Sequence, residues 1–274
     1  VRAFIFPGQG SQAVGMGKAV AEAFAPAREA FEEVDDALSQ RLSRLMWEGP
    51  ESEMILTENA QPAIMAASMA IIRVLQSQAG LDLARHARVV AGHSLGEYTA
   101  LCAAGAFTLS DTARLVRRRG IAMQAASPLG VGSMAALIGI DVEGAEAAVT
   151  EAADAGIVVV ANDNAPGQIV ISGEKAAVDK AGEIAKTKGA KRVIPLSVST
   201  ANHSPLLIPA GERMRDALAE VTIRPPSVPV VTNVTAAEIA EPDTIRRLLA
   251  EQVTSRVRWR ESVAAFAALG VAMT

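Results

Sequence analysis

Short apolar runs alternate with Ala- and Leu-rich segments of helical spacing along the first half of the chain. Residues 3–6 and 88–91 are apolar runs that predict buried strands, and the second leads into a glycine-flanked turn and a helix that begins near Gly96. The other helical segments lie near 17–39, 61–79 and 111–126. Because strands that alternate with helices form largely parallel sheets, this pattern predicts an α/β architecture.

The rhythm changes between about 130 and 196. Strands are predicted at 134–138, 157–161, 168–172 and 191–195, and helices at 143–155 and 175–188. The sequence NDNAPG at 162–167 predicts a turn between the two middle strands. The order βαββαβ is typical of a ferredoxin-like α+β unit. We therefore predict a small domain at 129–196, inserted into a discontinuous large domain of residues 1–128 and 197–274.

The rest of the chain returns to the first rhythm. A helix is predicted near 205–219, a strand at 228–232, and helices near 242–251 and 258–269.

Composition narrows the function classes. The chain has 274 residues, of which 50% are hydrophobic and 20% charged, as expected for a globular enzyme. No apolar run approaches a membrane span and the first residues lack the plan of a signal peptide, so we expect a cytoplasmic protein without a membrane partner. The net charge of −4 and the aromatic fraction of 3% argue against nucleic-acid binding. The single cysteine, Cys102, is predicted to be a buried packing residue.

The strongest local signal is Gly-His-Ser-Leu-Gly at 92–96, between a predicted strand and a predicted helix. Glycines on both sides permit the strained turn that exposes a nucleophilic serine in α/β-hydrolase-like sheets, so the large domain is predicted to be of that type. Ser94 is the candidate nucleophile, and the backbone N–H of Leu95 is a candidate oxyanion donor. The alternative is an ordinary tight turn with a helix-capping serine.

A serine nucleophile needs a base within hydrogen-bond reach. His86 lies in a polar stretch that favours the surface, and His93 should point away from the Ser94 side chain if the strand is extended. His203 is left as the candidate base. The acids between Ser94 and His203 carry no distinctive signature, which leaves room for a backbone carbonyl or a neutral amide to orient the histidine. They include the aspartates Asp111, Asp141, Asp154, Asp163 and Asp179.

Several motifs occur in a specific order along nearly the whole chain. They are FPGQGSQ at 6–12, ENAQPA at 58–63, GHSLGEYTAL at 92–101, RRG at 118–120, MQ at 123–124, NDNAPGQIVISG at 162–173, NVTA at 233–236 and EQVTSRVRW at 251–259. Together they resemble the malonyl-CoA:acyl carrier protein transacylases and the related acyltransferase domains of polyketide and fatty-acid synthases.

The resemblance implies roles for further residues. Gln9 occupies the position of a second oxyanion donor through its backbone N–H, and Arg119 that of an arginine which binds the free carboxylate of a malonyl group. The backbone carbonyl of Gln252 would orient the histidine. Asn162, Gln168 and Asn233 match polar residues that line the acyl pocket. Arg117 and Arg118 are expected to be surface charges.

The resemblance also implies the reaction, which is malonyl transfer from coenzyme A through acyl-Ser94 to the phosphopantetheine thiol of acyl carrier protein for fatty-acid synthesis. No resident cofactor or metal is expected, because coenzyme A thioester is a substrate and the carrier holds the phosphopantetheine. A monomer is expected. The alternatives are an acyltransferase of a polyketide pathway with a different acyl-CoA, an acyltransferase domain derived from a larger synthase, a serine hydrolase, and a noncatalytic carrier-binding module.

Two positions bear on selectivity. Many relatives have an aromatic residue immediately before the histidine, whereas this chain has Asn202, which leaves the acyl group open. Leu95 after the serine is of the type found with malonyl. The chain stops at LGVAMT, where the family usually continues through another strand, a Gly-Pro-Gly turn and a final helix.

Acyl carrier proteins are usually acidic, so a basic patch is expected to attract one. The candidate patch consists of Lys186, Lys188, Lys191 and Arg192. The alternative is a solvated helix end.

Overall fold

The structure is a computed structural model that describes residues 2–127, 130–196, 198 and 200–271. Two four-stranded sheets organise these residues, one mainly parallel and one antiparallel. The predicted domain boundaries at 128/129 and 196/197 involve residues 128, 129 and 197, which lie outside the described ranges.

The first sheet has the order β1–β2–β7–β8. Its strands are β1 (Ala3–Phe6), β2 (Val89–Gly92), β7 (Val230–Val231) and β8 (Glu238–Ile239). β1, β2 and β7 are parallel, and the register places Phe6 beside Gly92, so the loops after β1 and β2 leave the sheet at the same edge. β7 is shorter than the predicted strand at 228–232. β8 carries no apolar run, and its pairing with β7 was not predicted.

Helices surround this sheet and bury most of the hydrophobic core. They are α1 (Lys18–Ala23), α2 (Ala25–Leu38), α3 (Leu42–Glu48), α4 (Glu51–Met54), α5 (Thr57–Ala79), α6 (Leu83–His86), α7 (Leu95–Ala103), α8 (Leu109–Ala126), α11 (Ile208–Ala219), α12 (Pro242–Gln252) and α13 (Trp259–Ala268), and a 3₁₀ turn at Pro205–Leu207 precedes α11. α5 begins four residues before the predicted start and contains Pro62 in its second turn.

α5 and α8 cross closely at Gly120. A Cβ atom there would lie 2.6 Å from the Cα of Glu58 and 2.7 Å from the carbonyl oxygen of Thr57. A glycine at this position therefore lets the two helix backbones touch.

The second sheet has the order β4–β5–β3–β6, and every neighbouring pair is antiparallel. Its strands are β3 (Gly132–Ile138), β4 (Val158–Ala165), β5 (Gln168–Glu174) and β6 (Arg192–Pro195), and the accompanying helices are α9 (Val142–Glu151) and α10 (Lys175–Thr187), with a 3₁₀ turn at Ala153–Ala155. The sheet and its two helices enclose a separate apolar cluster.

The main difference from the predicted elements lies in β4, which continues to Ala165. The predicted turn at 162–167 is therefore reduced to Pro166 and Gly167, and Asn162 and Asp163 belong to the strand. Two irregularities in the pairing of β4 with β5 accompany this extension. Local turn chemistry suggested a loop here, but pairing with β5 carries the strand further.

Among the described helices, none has the length and apolarity needed to cross a membrane.

Candidate active site

Ser94 lies in a strained turn between β2 and α7. Its backbone has φ 53° and ψ −112°, a conformation that L-residues rarely adopt. A Cβ atom on Gly92 would lie 1.9 Å from the carbonyl carbon of Gly96, and one on Gly96 would lie 2.4 Å from the carbonyl oxygen of Phe6. Only glycine fits at either position, which explains the spacing of the motif.

His203 lies within hydrogen-bond distance of Ser94. The distance from His203 Nε2 to Ser94 Oγ is 2.9 Å, and His203 Nδ1 lies 2.9 Å from the backbone carbonyl oxygen of Gln252. Since a carbonyl only accepts, Nδ1 carries the proton and Nε2 is left to accept one from the serine. The geometry brings together the predicted nucleophile, base and histidine-orienting carbonyl.

Burial keeps His203 neutral. The side chain is buried, and burial lowers its pKa to about 3, with the positive charge of Arg119 acting in the same direction and the hydrogen bond to Gln252 opposing it. The imidazole is therefore unprotonated across the neutral range and free to accept a proton.

The other two histidines do not contact Ser94 Oγ. His86 is exposed, and its Nδ1 accepts a hydrogen bond from the backbone N–H of Asp82. His93 Nε2 lies 2.9 Å from Asn164 Oδ1, and its ring packs edge-on against Trp259. These positions agree with the elimination that selected His203.

The five aspartates in the interval are all engaged elsewhere. Asp163 forms an ion pair with Arg260 at 2.7 Å, Asp154 pairs with Lys180, and Asp179 pairs with Lys175. Asp111 lies in the first turn of α8, and Asp141 caps α9. The carbonyl of Gln252 therefore takes the place that a carboxylate holds in the usual triad.

Arg119 is a buried cation beside the serine. It is 1% exposed and donates hydrogen bonds from Nη2 to Ser94 Oγ and to Gln252 Oε1, both at 3.0 Å. Nη1 donates to Gln61 Oε1 at 2.8 Å, and the guanidinium lies over the Tyr98 ring. Burial lowers the pKa of Arg119, but a guanidinium remains charged in proteins.

The neighbouring arginines differ from Arg119. Arg118 is partly exposed and pairs with Glu220, as predicted for a surface charge. Arg117 is half-buried and bonds to Asn59 and Gln40, so the prediction of a surface charge is wrong for this residue. The helical rotation of α8 directs the three side chains to different surroundings.

A second polar cluster lies behind the turn. Asn233 Oδ1 accepts from the backbone N–H of Ser94 at 2.7 Å, and Asn233 Nδ2 donates to the Gly92 carbonyl. Gln252 Nε2 donates to the Ser94 carbonyl and to Glu97 Oε2, both at 3.0 Å. The same Glu97 oxygen accepts from the backbone N–H of Asn233 at 2.9 Å. Side chains from three segments therefore fix the turn from below.

Sequence reasoning missed Glu97. It is 1% exposed, and burial raises its pKa to about 7 against the opposing effects of its hydrogen bonds and of Arg119. An acid in the apolar helix sequence LGEYTALCA, three residues after the serine, was the available signal.

A cavity of about 170 Å³ opens at Ser94 between the two sheets. Its lining comprises Gln9, His93, Ser94, Leu95, Arg119, Met123, Met134, Asn162, Asn164, Val170, Leu196, Val198, Asn202 and His203. Leu95 is the first residue of α7, so its N–H has no acceptor within the helix. Gln9 follows Gly8, where a Cβ atom would lie 2.7 Å from the His93 carbonyl. The loop after β1 thus lies against the turn.

Of the three polar residues predicted to line the pocket, only Asn162 does so. Gln168 is exposed at the start of β5, opposite Ile138 and Ala165, because the extension of β4 moves the hairpin end away from the cavity. Asn233 is fully buried behind the turn, where its amide bonds the backbone on both sides of His93. Neither Gln168 nor Asn233 lies among the residues that line the cavity, and their substrate-binding roles stay predictions.

The candidate basic patch lies at the far end of β6 from the cavity. Lys186 pairs with Glu183 at 2.8 Å, and Lys188 pairs with Glu151 at 2.5 Å. Lys191 and Arg192 form no ion pair within the described ranges.

One further side-chain prediction concerns the cysteine. Cys102 is buried, as predicted, and burial raises its pKa to about 11, which disfavours the reactive thiolate. No group of three or more His, Cys, Asp and Glu side chains with the geometry of a metal site occurs among the residues that the structure describes.

Known proteins with similar sequences and structures are acyltransferases. Residues 3–273 match the family described as acyl transferase domain. The malonyl CoA-acyl carrier protein transacylase of Escherichia coli (strain K12) is 45% identical over 98% of this chain and 86% of its own length. The crystal structure of acyl-carrier-protein-S-malonyltransferase from Bartonella henselae is 54% identical, with a TM-score of 0.96 over 99% of this chain and 86% of that one.

A third similar structure contains a carrier. It is a type II PKS acyl-carrier protein in complex with its malonyl-transacylase, PlMCAT:AntF, and it is 42% identical with a TM-score of 0.94 over 98% of this chain and 86% of that one. Matches of this extent and identity place the mixed α/β fold and its serine turn in one family. The chain therefore belongs to the acyltransferase family, among the malonyl-CoA:acyl carrier protein transacylases.

Proposed function

We propose that this protein transfers a malonyl group from coenzyme A to the phosphopantetheine thiol of acyl carrier protein, supplying extender units for fatty-acid synthesis. The observation that carries the proposal is the convergence of His203 Nε2 and Arg119 Nη2 on Ser94 Oγ, at 2.9 and 3.0 Å. One partner removes the serine proton, and the other is a buried cation suited to a substrate carboxylate.

The first half-reaction forms an ester. His203 Nε2 takes the proton of Ser94 as Oγ attacks the thioester carbonyl, and the tetrahedral intermediate places negative charge on the former carbonyl oxygen. The C–S bond then breaks, and His203 returns the proton to the departing coenzyme A sulfur. The backbone carbonyl of Gln252 stabilises the imidazolium and preserves its orientation in both directions of proton transfer.

The backbone N–H groups of Leu95 and Gln9 are the proposed oxyanion donors. Both residues line the cavity, and the first amides of α7 add the positive end of the helix dipole. The turn geometry supports the role of Leu95. The role of Gln9 is implied by the family resemblance, and the close approach of the β1 loop to the turn supports it.

Arg119 is the proposed carboxylate site. A guanidinium offers two parallel donors, which match a carboxylate better than they match the methyl group of an acetyl unit. Binding of malonyl requires Arg119 to exchange its hydrogen bond to Ser94 Oγ for bonds to the substrate, which also releases the serine for attack. Asn162 is the proposed polar wall on the opposite side.

In the second half-reaction the carrier thiol attacks the Ser94 ester by the same route. No resident cofactor or metal is needed, because both thiols arrive with the substrates. The carrier is proposed to dock near Lys191 and Arg192, which retain unpaired charge within the described part of the chain. Monomeric state and cytoplasmic location stay predictions from the sequence.

The two sheets also suggest the type of each domain. We infer an α/β-hydrolase-like large domain, residues 1–128 and 197–274, and a ferredoxin-like insert at 129–196. The parallel β1–β2–β7 arrangement with its strand–turn–helix supports the first, and the antiparallel order β4–β5–β3–β6 with a separate core supports the second.

Intact-mass measurement after brief exposure to malonyl-CoA tests the mechanism. The expected result is a gain of one malonyl group, absent in Ser94→Ala and lost from the enzyme when a pantetheinylated carrier is added. A matched control is Ser110→Ala, which removes a hydroxyl that bonds Glu33 far from the cavity. A wild-type enzyme that never gains the adduct would contradict the proposal.

A second candidate function is acyl transfer in a polyketide pathway with a different acyl-CoA. The observation that favours this second candidate is Asn202, which lines the cavity beside His203. Its small polar side chain leaves room next to the base for a different acyl group. Competition between malonyl-CoA and methylmalonyl-CoA for Ser94, read as the ratio of the two adducts, separates the candidates. Predominant malonyl adduct supports the first, and predominant methylmalonyl adduct supports the second.

A further inference from the structure

Two opposite charges are buried behind and beside Ser94. Glu97 and Arg119 are each 1% exposed, and the other buried carboxylate among the described residues, Asp163, is paired with Arg260. Burial of an isolated charge is costly, so a buried cation needs a nearby anion. Glu97 is the one positioned to balance Arg119.

The Gln252 side chain links the two charges. Its Oε1 accepts from Arg119 Nη2 and its Nε2 donates to Glu97 Oε2, each at 3.0 Å. The amide dipole is therefore aligned with its oxygen toward the cation and its N–H toward the anion. This alignment is favourable only while Glu97 accepts a hydrogen bond.

A substrate carboxylate changes this balance. When it pairs with Arg119, one buried cation faces two buried anions, and the second anion makes the charged form of Glu97 less favourable. Both hydrogen bonds that Glu97 receives go to Oε2, so a proton on Oε1 preserves them. Protonation removes the surplus charge without disturbing Gln252.

We propose that Glu97 is the buried counter-charge of Arg119 in the free enzyme and takes up a proton when a malonyl carboxylate pairs with Arg119. The inference rests on the proposed function, because it requires a carboxylate at Arg119. It makes selection of a charged acyl group dependent on pH through a residue that does not touch the substrate.

The other groups around Glu97 do not account for such a proton. Arg119 on α8 is already charged, and burial raises the pKa of Tyr98 on α7, which stays protonated. Asn233, after β7, and Gln252, at the end of α12, are neutral amides. Beyond Gln252 lies His203, whose pKa of about 3 would have to rise by several units.

The test is calorimetric titration of Ser94→Ala enzyme with malonyl-CoA and with acetyl-CoA, in buffers of different ionisation enthalpy. The variant binds without reacting, and the two ligands share the same phosphates, so their difference reports the malonyl carboxylate. With the pKa of Glu97 at about 7, the expected difference is about 0.9 proton taken up at pH 8 and about 0.1 at pH 6. The affinity for malonyl-CoA should then fall about fivefold from pH 7 to pH 8.

The matched variant is Glu97→Gln in the same background. Its side-chain oxygen can accept both hydrogen bonds, and it has no carboxyl to protonate. The extra proton uptake and the pH dependence of malonyl-CoA affinity should both disappear. Uptake that persists unchanged in Glu97→Gln would assign the proton to another group, such as His203, and overturn the proposal.

The Ser94→Ala enzyme with Glu97 intact keeps the test decisive if the Glu97→Gln variant does not fold. If malonyl-CoA binds the Ser94→Ala enzyme with no more proton uptake than acetyl-CoA, the proposed role of Glu97 is overturned. Failure of the proposed function would look different, since the enzyme with Ser94 intact would then gain no malonyl adduct.

Discussion

The regions around the two sheets differ in where their polar side chains lie. Behind the parallel sheet, Glu97, Arg119 and Gln252 are buried and joined by hydrogen bonds. The core between the antiparallel sheet and its helices is apolar, built around residues such as Leu137 and Ile171, and the ion pairs around these helices are exposed. The exception among the charged residues of this sheet is Asp163 on β4, which is buried. Burial of polar groups is costly, so the polar cluster around Ser94 lowers the folding stability of that region. The apolar core of the antiparallel sheet has no such cost.

Among substitutions in the two regions, we expect replacement of the base, His203, to cause the largest loss of activity. His203→Ala should lower the rate of Ser94 acylation by ~10⁴-fold with little loss of folding stability, because the serine loses its proton acceptor. Stopped-flow release of coenzyme A measures the rate. His86→Ala, at the exposed histidine, is the control, and an equal loss there would remove the distinction.

Arg119→Ala should separate charged from uncharged acyl groups. Malonyl transfer is expected to fall ~10²- to 10³-fold, since a buried carboxylate loses its cation, while acetyl transfer changes much less. The measurement is kcat/KM for both thioesters. Arg118→Ala, which affects a surface ion pair, should leave both unchanged. Equal losses for malonyl and acetyl would mean that Arg119 does not select the carboxylate.

Leu137→Ala tests the antiparallel region. Leu137 is completely buried in its core, so truncation should cost about 2–5 kcal/mol of unfolding free energy. The acylation rate of the folded protein should stay within about twofold of wild type. Urea unfolding followed by circular dichroism gives the first quantity. Ile157→Ala, at a side chain 40% exposed, is the matched control with a smaller expected change.

The free energy of unfolding of Glu97→Gln should increase relative to that of wild type as the pH rises. The unfolded chain releases the Glu97 proton near the ordinary pKa of 4.5 and the folded chain only near 7, so the folded state loses relative stability between these values. The variant lacks this loss, and its advantage should grow by about 2 to 3 kcal/mol from pH 5 to pH 8. Chemical denaturation at both pH values checks it. Glu220→Gln, on the surface, should show no such growth.

The smallest expected effect concerns the carrier. Reversal of both charges, Lys191→Glu with Arg192→Glu, should lower kcat/KM for the carrier by about tenfold while acylation by malonyl-CoA is unchanged. A gel-shift assay of carrier loading gives the first value. If both steps keep their wild-type rates, the docking patch lies elsewhere and the solvated-helix alternative holds.

The sequence predicted the parts of the site that depend on short-range geometry. The turn at 92–96 follows from glycine sterics, and His203 followed from the rejection of His86 and His93. The location of Gln168 and Asn233 outside the cavity lining could not be predicted, because it depends on how far β4 extends and how β7 lies beside β2, which are long-range pairings. Glu97 was missed because a carboxyl on a helix is usually exposed, and only packing shows that this one is buried.

The close crossing of α5 and α8 at Gly120 limits how this pocket could diverge during evolution. Any side chain there would push the two backbones apart and shift Arg119, its immediate neighbour, so the position of Arg119 depends on this glycine. The opposite wall contains Met134, whose unbranched side chain adopts new shapes readily. Descendants of this chain that accept bulkier acyl groups should therefore carry their substitutions on the wall formed by the antiparallel sheet.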